Sequence, residues 1–91
     1  MNFGNGGIKI RRSRTDIVLD ILNIASNGAT KTKIVYGANL NSSIAKKYIN
    51  DLKDKGLIEQ RSNIFVMTEK GKEYRDLTKE LLTYWDQKPR M

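Results

Sequence analysis

Between residues 41 and 55 the chain alternates Ser42, Ser43, Lys46, Lys47, Asn50 and Lys53 with Ile44, Ala45, Tyr48, Ile49 and Leu52. On a helix of 3.6 residues per turn these two sets fall on opposite faces. The polar face then carries short hydroxyls, long cations and one amide, groups that bond phosphate oxygens and base edges. Ser42, Ser43, Lys46 and Lys47, near the helix start, are the better placed for bases. Asn50 is the side chain there suited to bidentate contact with adenine, but it lies two turns in. Other chemistry is poorly supplied. The 91 residues contain no histidine and no cysteine, which removes imidazole and thiolate metal sites, Cys nucleophiles, His bases and disulfides. The carboxylates stand singly, and Gly4-Asn5-Gly6-Gly7 precedes every element instead of following a strand as a phosphate loop would. The expectation is a binding protein with no cofactor and no metal, not an enzyme.

The 17 Lys and Arg exceed the 10 Asp and Glu, for a formal charge of +7, and the excess is unevenly spread. Residues 1–14 hold Lys9, Arg11, Arg12 and Arg14 and no acid; residues 15–28 hold Asp16 and Asp20 and no cation. From 29 to 61 there are seven cations against three acids, and beyond that six against five. Two basic stretches thus flank an acidic helix, while the last third is nearly neutral, the pattern of a nucleic-acid face and a separate face. The competing reading is a solvated surface in which Asp51 and Asp54 pair with neighbouring lysines.

The elements that must position these groups follow from caps and periodicity. Residues 1–13, rich in Gly and Asn and then basic, read as a flexible arm. Ser13 with Asp16 forms a capping box, and Ile17, Val18, Ile21, Leu22 and Ala25 give one helical face ending at Asn27-Gly28, a helix over about 14–27. Thr30 caps a second helix with Ile34, Val35 and Ala38 inward, ending near Asn39; Ala29 and Thr30 also suit a very short strand before it. Asn41 or Ser42 caps the third, which stops at Gly56. Leu57-Ile58 and Ile64 to Met67 enclose a Ser62-Asn63 tip as a hairpin, with either Phe65 and Met67 or Ile64 and Val66 turned inward. Thr68 caps a fourth helix over roughly 69–87, limited by Pro89, on which Tyr74, Leu77, Leu81 and Trp85 recur at three- and four-residue spacing. Tyr36 and Tyr48 read as core residues with a polar tip, with nucleic-acid stacking as the alternative, and Gly71 as a point of close packing under the hairpin. Trp85 and Tyr84 suit either a partner surface or an internal contact. The longest apolar run, Ile64 to Met67, is four residues against the ~20 that span a bilayer. The basic start lacks a following apolar stretch, so no signal peptide is expected.

The fold class expected is mostly α with a small β-hairpin, a winged helix-turn-helix followed by a C-terminal helix. Its parts are a basic arm (1–13), the winged domain (14–68) and a dimerisation helix with its tail (69–91). In that arrangement the third helix enters a DNA major groove while hairpin and arm hold the flanks. The candidate DNA-binding residues are Arg11 and Arg12 on the arm, Arg14 at the start of the first helix, and Lys31 and Lys33 on the second helix. Asn41, Ser42, Ser43, Lys46, Lys47 and Asn50 follow on the third, with Arg61, Ser62 and Asn63 on the wing. Tyr74, Leu77, Leu81 and Trp85 are the candidate dimer seam.

The run Thr30-Lys31-Thr32-Lys33-Ile34-Val35-Tyr36-Gly37-Ala38-Asn39-Leu40 is followed by Lys46-Lys47-Tyr48, Leu52, Lys55-Gly56-Leu57-Ile58 and Thr68-Glu69-Lys70-Gly71. Together they resemble the small archaeal winged-helix DNA-binding proteins, over about residues 14–80. That group includes chromosomal proteins that dimerise through a long C-terminal helix, and plasmid and virus regulators sharing their domain. The resemblance implies double-stranded DNA as partner, a homodimer through an antiparallel coiled coil, and a recognition helix after Asn39-Leu40. It also implies a cytoplasmic, nucleoid-associated location, in the host cell if the gene is plasmid- or virus-borne. Pro89 departs from the fullest version of the pattern, leaving a seam of two or three heptad-like steps. Two alternatives accompany the expected transcriptional regulator: a non-specific chromatin-type protein, and a protein-interaction module without DNA. An acidic or apolar third-helix face would mark the last, and this face is cationic.

Overall fold

A computed structural model describes residues 13–86. Helix α1 (Arg14–Ile24) opens on the expected capping box: the Asp16 amide donates to Ser13 Oγ (3.1 Å) and the Ser13 amide to Asp16 Oδ2 (3.2 Å). It tightens into a single 3-10 turn at Ala25–Asn27, so the regular helix is shorter than the periodicity suggested. Gly28, at φ +94°, then turns the chain into a two-residue strand β1 (Ala29–Thr30). Thr30 ends that strand and caps α2 (Lys31–Gly37), accepting from the Lys33 amide at 3.1 Å. The short strand and the cap, read as alternatives from sequence, are both present.

Helix α2 stops at Gly37, earlier than the expected Asn39, because Asn39 adopts a left-handed φ of +56° and the chain reverses there. Asn41 is the cap of α3 (Ser42–Asp54): its Oδ1 accepts from the Ile44 amide at 2.8 Å. Gly56, at φ +76°, follows α3 as the left-handed stop. Strands β2 (Ile58–Arg61) and β3 (Ile64–Met67) pair antiparallel around the Ser62-Asn63 tip, and β1 adds to the other edge of β3, giving the order β1-β3-β2. The last helix, α4 (Glu69–Asp86), begins after Thr68, whose Oγ1 accepts from the Gly71 amide (3.0 Å) and donates to the Gly56 carbonyl (2.6 Å). One threonine thereby ties the end of α3 to the start of α4.

The core joins Val18, Ile21, Leu22 and Ala25 of the first helical segment to Ile34, Ala38, Ile49, Leu52, Leu57, Ile58 and Phe65. Phe65 is buried and Met67 packs on the cluster, so this is the inward pair of β3. Leu19 is buried as well, although it lies off the main stripe, because α1 runs through the centre with α2 and α4 both against it. Three expectations are corrected. Tyr36 is 79% exposed, not a core residue: on α2 it lies two positions, about 200°, beyond the buried Ile34. Ile44 is 41% exposed, since it sits about 100° round the helix from its buried neighbour Ala45. Val35 is only half-buried. Tyr48, by contrast, packs on the core as expected. Gly71 is buried, and a β-carbon there would collide with the Leu57 carbonyl oxygen and come within 2.9 Å of Met67 Cγ. That close approach brings α4 directly beneath the wing. Among the described residues no helix is long and apolar enough to cross a membrane.

Candidate nucleic-acid interface

Helix α3 buries Ala45, Ile49 and Leu52 and exposes Ser42, Ser43, Lys46, Lys47, Asn50 and Lys53. Its two flanks differ. Ile44, Tyr48 and Asp51 lie toward α1, where they line a shallow cleft with Arg14 and Lys47. Ser42, Lys46 and Lys53 fall within about 40° of one another on the other side, with Asn50 next to them. Among the described residues no acid forms an ion pair with Lys46 or Lys47, so the reading in which Asp51 neutralises Lys47 is not realised. Their ammonium groups are left to solvent and to any anion that approaches.

At its C-terminal end this stripe is joined to the wing. Lys53 Nζ donates to Gln60 Oε1 at 2.8 Å and lies 6.0 Å from the centroid of the Phe65 ring. Gln60 Nε2 donates onward to the Ser62 carbonyl at 2.9 Å, and Ser62 stands at the tip with φ +60°. Arg61, Ser62 and Asn63 are all exposed, as a wing contact requires. Arg61 is not free of partners, however: its guanidinium forms an ion pair with Glu59, with Nε 2.8 Å from Glu59 Oε2. Such an exposed pair is worth little and exchanges readily for a phosphate.

At the N-terminal end lies α2, with Lys33 exposed and Lys31 half-buried. Lys31, Thr32, Val35, Tyr36 and Ser42 together line an open basin. Gln60 is the neighbour of the stripe that the sequence reading missed, and Tyr36, expected first as core, lines the basin. The signal for Tyr36 was available in its offset from Ile34. The role of Gln60 depends on the hairpin folding back along α3 and leaves no local mark. Arg14 is exposed at the start of α1, while Arg11 and Arg12 lie outside the described residues. The basic groups brought together are therefore those of α2, α3 and the wing, with Arg14 set on the α1 flank.

Helix α4 presents Tyr74, Leu77, Leu81 and Tyr84, with Leu77 and Leu81 about 60% exposed and Tyr74 sharing a cleft with Tyr48 and Asp51 of α3. Their spacing of three, four and three residues makes one apolar seam along the helix. The Trp85 side chain lies outside the described residues. Arg75 on the same helix reaches back to α1, Nη1 standing 3.5 Å from Asn23 Oδ1. Among the described residues no cluster of acids is arranged to hold a metal ion.

The profile of the winged helix-turn-helix family matches residues 11–84, which takes in every element described above except the last two residues of α4. An uncharacterized protein of Methanocaldococcus jannaschii is 34% identical over 89 residues, covering 97% of this chain and 92% of its own. The crystal structure of Sso10a-2, a DNA-binding protein from Sulfolobus solfataricus, superposes with a TM-score of 0.73 at 30% identity, covering 82% of this chain and 83% of that one. The helix order, the three-stranded wing and these similarities agree: the chain belongs to the winged helix-turn-helix family, within the archaeal winged-helix DNA-binding proteins.

Proposed function

We propose that the protein binds double-stranded DNA as a homodimer and acts as a transcriptional regulator. The observation that carries this reading is the exposed, acid-unpaired stripe of α3, continuous with the wing at one end and α2 at the other. Ser42, Ser43, Lys46, Lys47 and Asn50 enter the major groove, Asn41 holding the helix start in place. Lys31, Lys33, Arg61, Ser62 and Asn63 bond the flanking phosphates, and Arg11 and Arg12 of the arm, with Arg14 at the start of α1, add a further clamp. Each neutralised phosphate releases a counterion, which supplies most of the affinity. The DNA-binding neighbour Sso10a-2 supports the same partner.

The α4 seam supports the homodimer. Tyr74, Leu77 and Leu81, extended by Trp85, pack against a second copy, and two recognition helices related by a twofold axis then read two half-sites. Its proposed place of action is the cytoplasm, at the nucleoid, or the host cell's cytoplasm if the gene is plasmid- or virus-borne.

A chromatin-type role is the second reading, and one observation favours it: the stripe is mostly lysine and serine and holds no arginine, the residue that most often reads guanine. Footprinting on the DNA next to the protein's own gene, with random-sequence competitor present, decides. A discrete protected site supports the regulator; uniform coverage supports the chromatin role, and no protection at any concentration removes both.

A further inference from the structure

Among the described residues Tyr36 is the most exposed of the large hydrophobic side chains, at 79%. It is not isolated. With Lys31, Thr32, Val35 and Ser42 it lines an open basin of about 250 Å³ where α2 meets the first residue of α3. The chemistry of the basin is divided. Val35 and the Tyr36 ring offer apolar surface, while the Lys31 ammonium and the Thr32 and Ser42 hydroxyls offer donors to an anion. Helix α2 carries Lys31 and Lys33 and no acid.

Position adds a second constraint. Ser42 belongs both to the basin and to the α3 stripe with Lys46 and Lys53. Residues 42 and 53 are about 16 Å apart along the helix axis, and the major groove is about 12 Å wide. Set across the groove, a helix face of that length reaches a sugar-phosphate backbone at each end. The wing stands at the Lys53 end, and the basin stands at the Ser42 end.

We propose that this basin seats one deoxyribose-phosphate unit of the strand bordering the groove, the Val35 and Tyr36 surface packing on the sugar and Lys31, Thr32 and Ser42 bonding its phosphate. The proposal rests on duplex DNA being the partner and assigns Tyr36 a contact within that interface. It has a consequence that phosphate bonding alone lacks. A ribose at this nucleotide would press its 2′-hydroxyl against apolar surface, so the basin favours DNA over RNA at one position.

The test is a binding titration on duplex DNA at several salt concentrations with the full chain and its Tyr36→Ala, Tyr36→Phe and Lys31→Gln variants. A scan of single ribonucleotides through the bound duplex is added. Tyr36→Ala is expected to weaken binding about tenfold through lost apolar contact, with the salt slope unchanged because no charge is removed. Tyr36→Phe is expected to bind within about threefold of the parent, and Lys31→Gln to reduce the slope by about 0.9. One ribonucleotide position is expected to cost about fivefold in the parent and nothing in Tyr36→Ala. Thermal melts of all variants matching the parent would show that the fold is intact. If Tyr36→Ala binds like the parent while Lys46→Ala with Lys47→Ala binds weakly, the basin proposal is overturned and the DNA reading stands. If the parent binds no duplex, both fall together.

Discussion

Lys53, in the last full turn of α3, donates from Nζ to Gln60 Oε1 of β2 across 2.8 Å. Gln60 passes the connection on to the Ser62 carbonyl at the wing tip, 2.9 Å away. A single amide thus bridges α3 and the wing tip, beside the buried contacts that already join the two. Both bonds are exposed, so each adds only about 0.5–1 kcal/mol to stability. Their importance is positional: two contact surfaces can meet one rigid duplex together only if their relative angle is held.

Replacing Gln60 by Ala is therefore expected to lower duplex affinity about threefold to tenfold, which is about 0.7–1.4 kcal/mol. The melting temperature should fall by no more than about 5 °C. Because no charge is lost, the salt slope should not change. Faster hydrogen exchange at the Ser62 and Asn63 amides would report the loosened wing. Unchanged exchange together with unchanged affinity would remove the brace.

Lys46 and Lys47 are two of the three cations of α3, none of which is paired to an acid among the described residues. Changing both to Ala should reduce the slope of log affinity against log salt by about 1.8, two phosphate contacts at about 0.9 each. Both side chains are exposed, so unfolding free energy should move by less than about 0.5 kcal/mol each. Affinity measured by fluorescence anisotropy at four salt concentrations, alongside a denaturant melt, separates the two effects.

Gly71 tests the packing beneath the wing. A methyl group there meets the Leu57 backbone carbonyl, which cannot rotate aside as a side chain would. Gly71→Ala is expected to destabilise the fold by about 2–3 kcal/mol, despite the usual gain of about 1 kcal/mol for Ala over Gly inside a helix. At about 4–8 °C per kcal/mol the melting temperature should drop by roughly 10–20 °C. A rise in stability would mean that α4 does not approach β2 this closely.

The exposed α4 seam is tested by charge. Leu77→Asp with Leu81→Asp places two carboxylates on a face that the dimer would bury, at a cost no short seam can offset. Sedimentation equilibrium is expected to show dimer for the parent chain and monomer for the variant, with an unchanged far-ultraviolet spectrum. The same mass for both would move the interface elsewhere or remove it.

Much of this architecture is legible before any coordinates, because caps are local. Ser13 with Asp16, Thr30, Asn41, Gly56 and Thr68 mark element ends through bonds spanning three or four residues, and they lie where those rules put them. The polar face of α3 is legible for the same reason: thirteen residues establish a period clearly. The seven residues of α2 do not, so the facing of Tyr36 and Val35 depended on which neighbours cover the helix. Phe65 and Ile64 are equally apolar, and only the packing of the sheet against α1 and α3 distinguishes them. The Lys53–Gln60 bond and the basin join residues from different elements, and no spacing along the chain encodes such a meeting.

Salt-dependent binding of the unaltered protein to a duplex tests the central claim most directly. With Lys31, Lys33, Lys46, Lys47, Lys53 and Arg61 as the proposed phosphate contacts, log affinity against log salt should fall with a slope of about −3 to −5 per protomer. Binding that is absent, or whose slope is near zero, would contradict a phosphate-neutralising interface on this face.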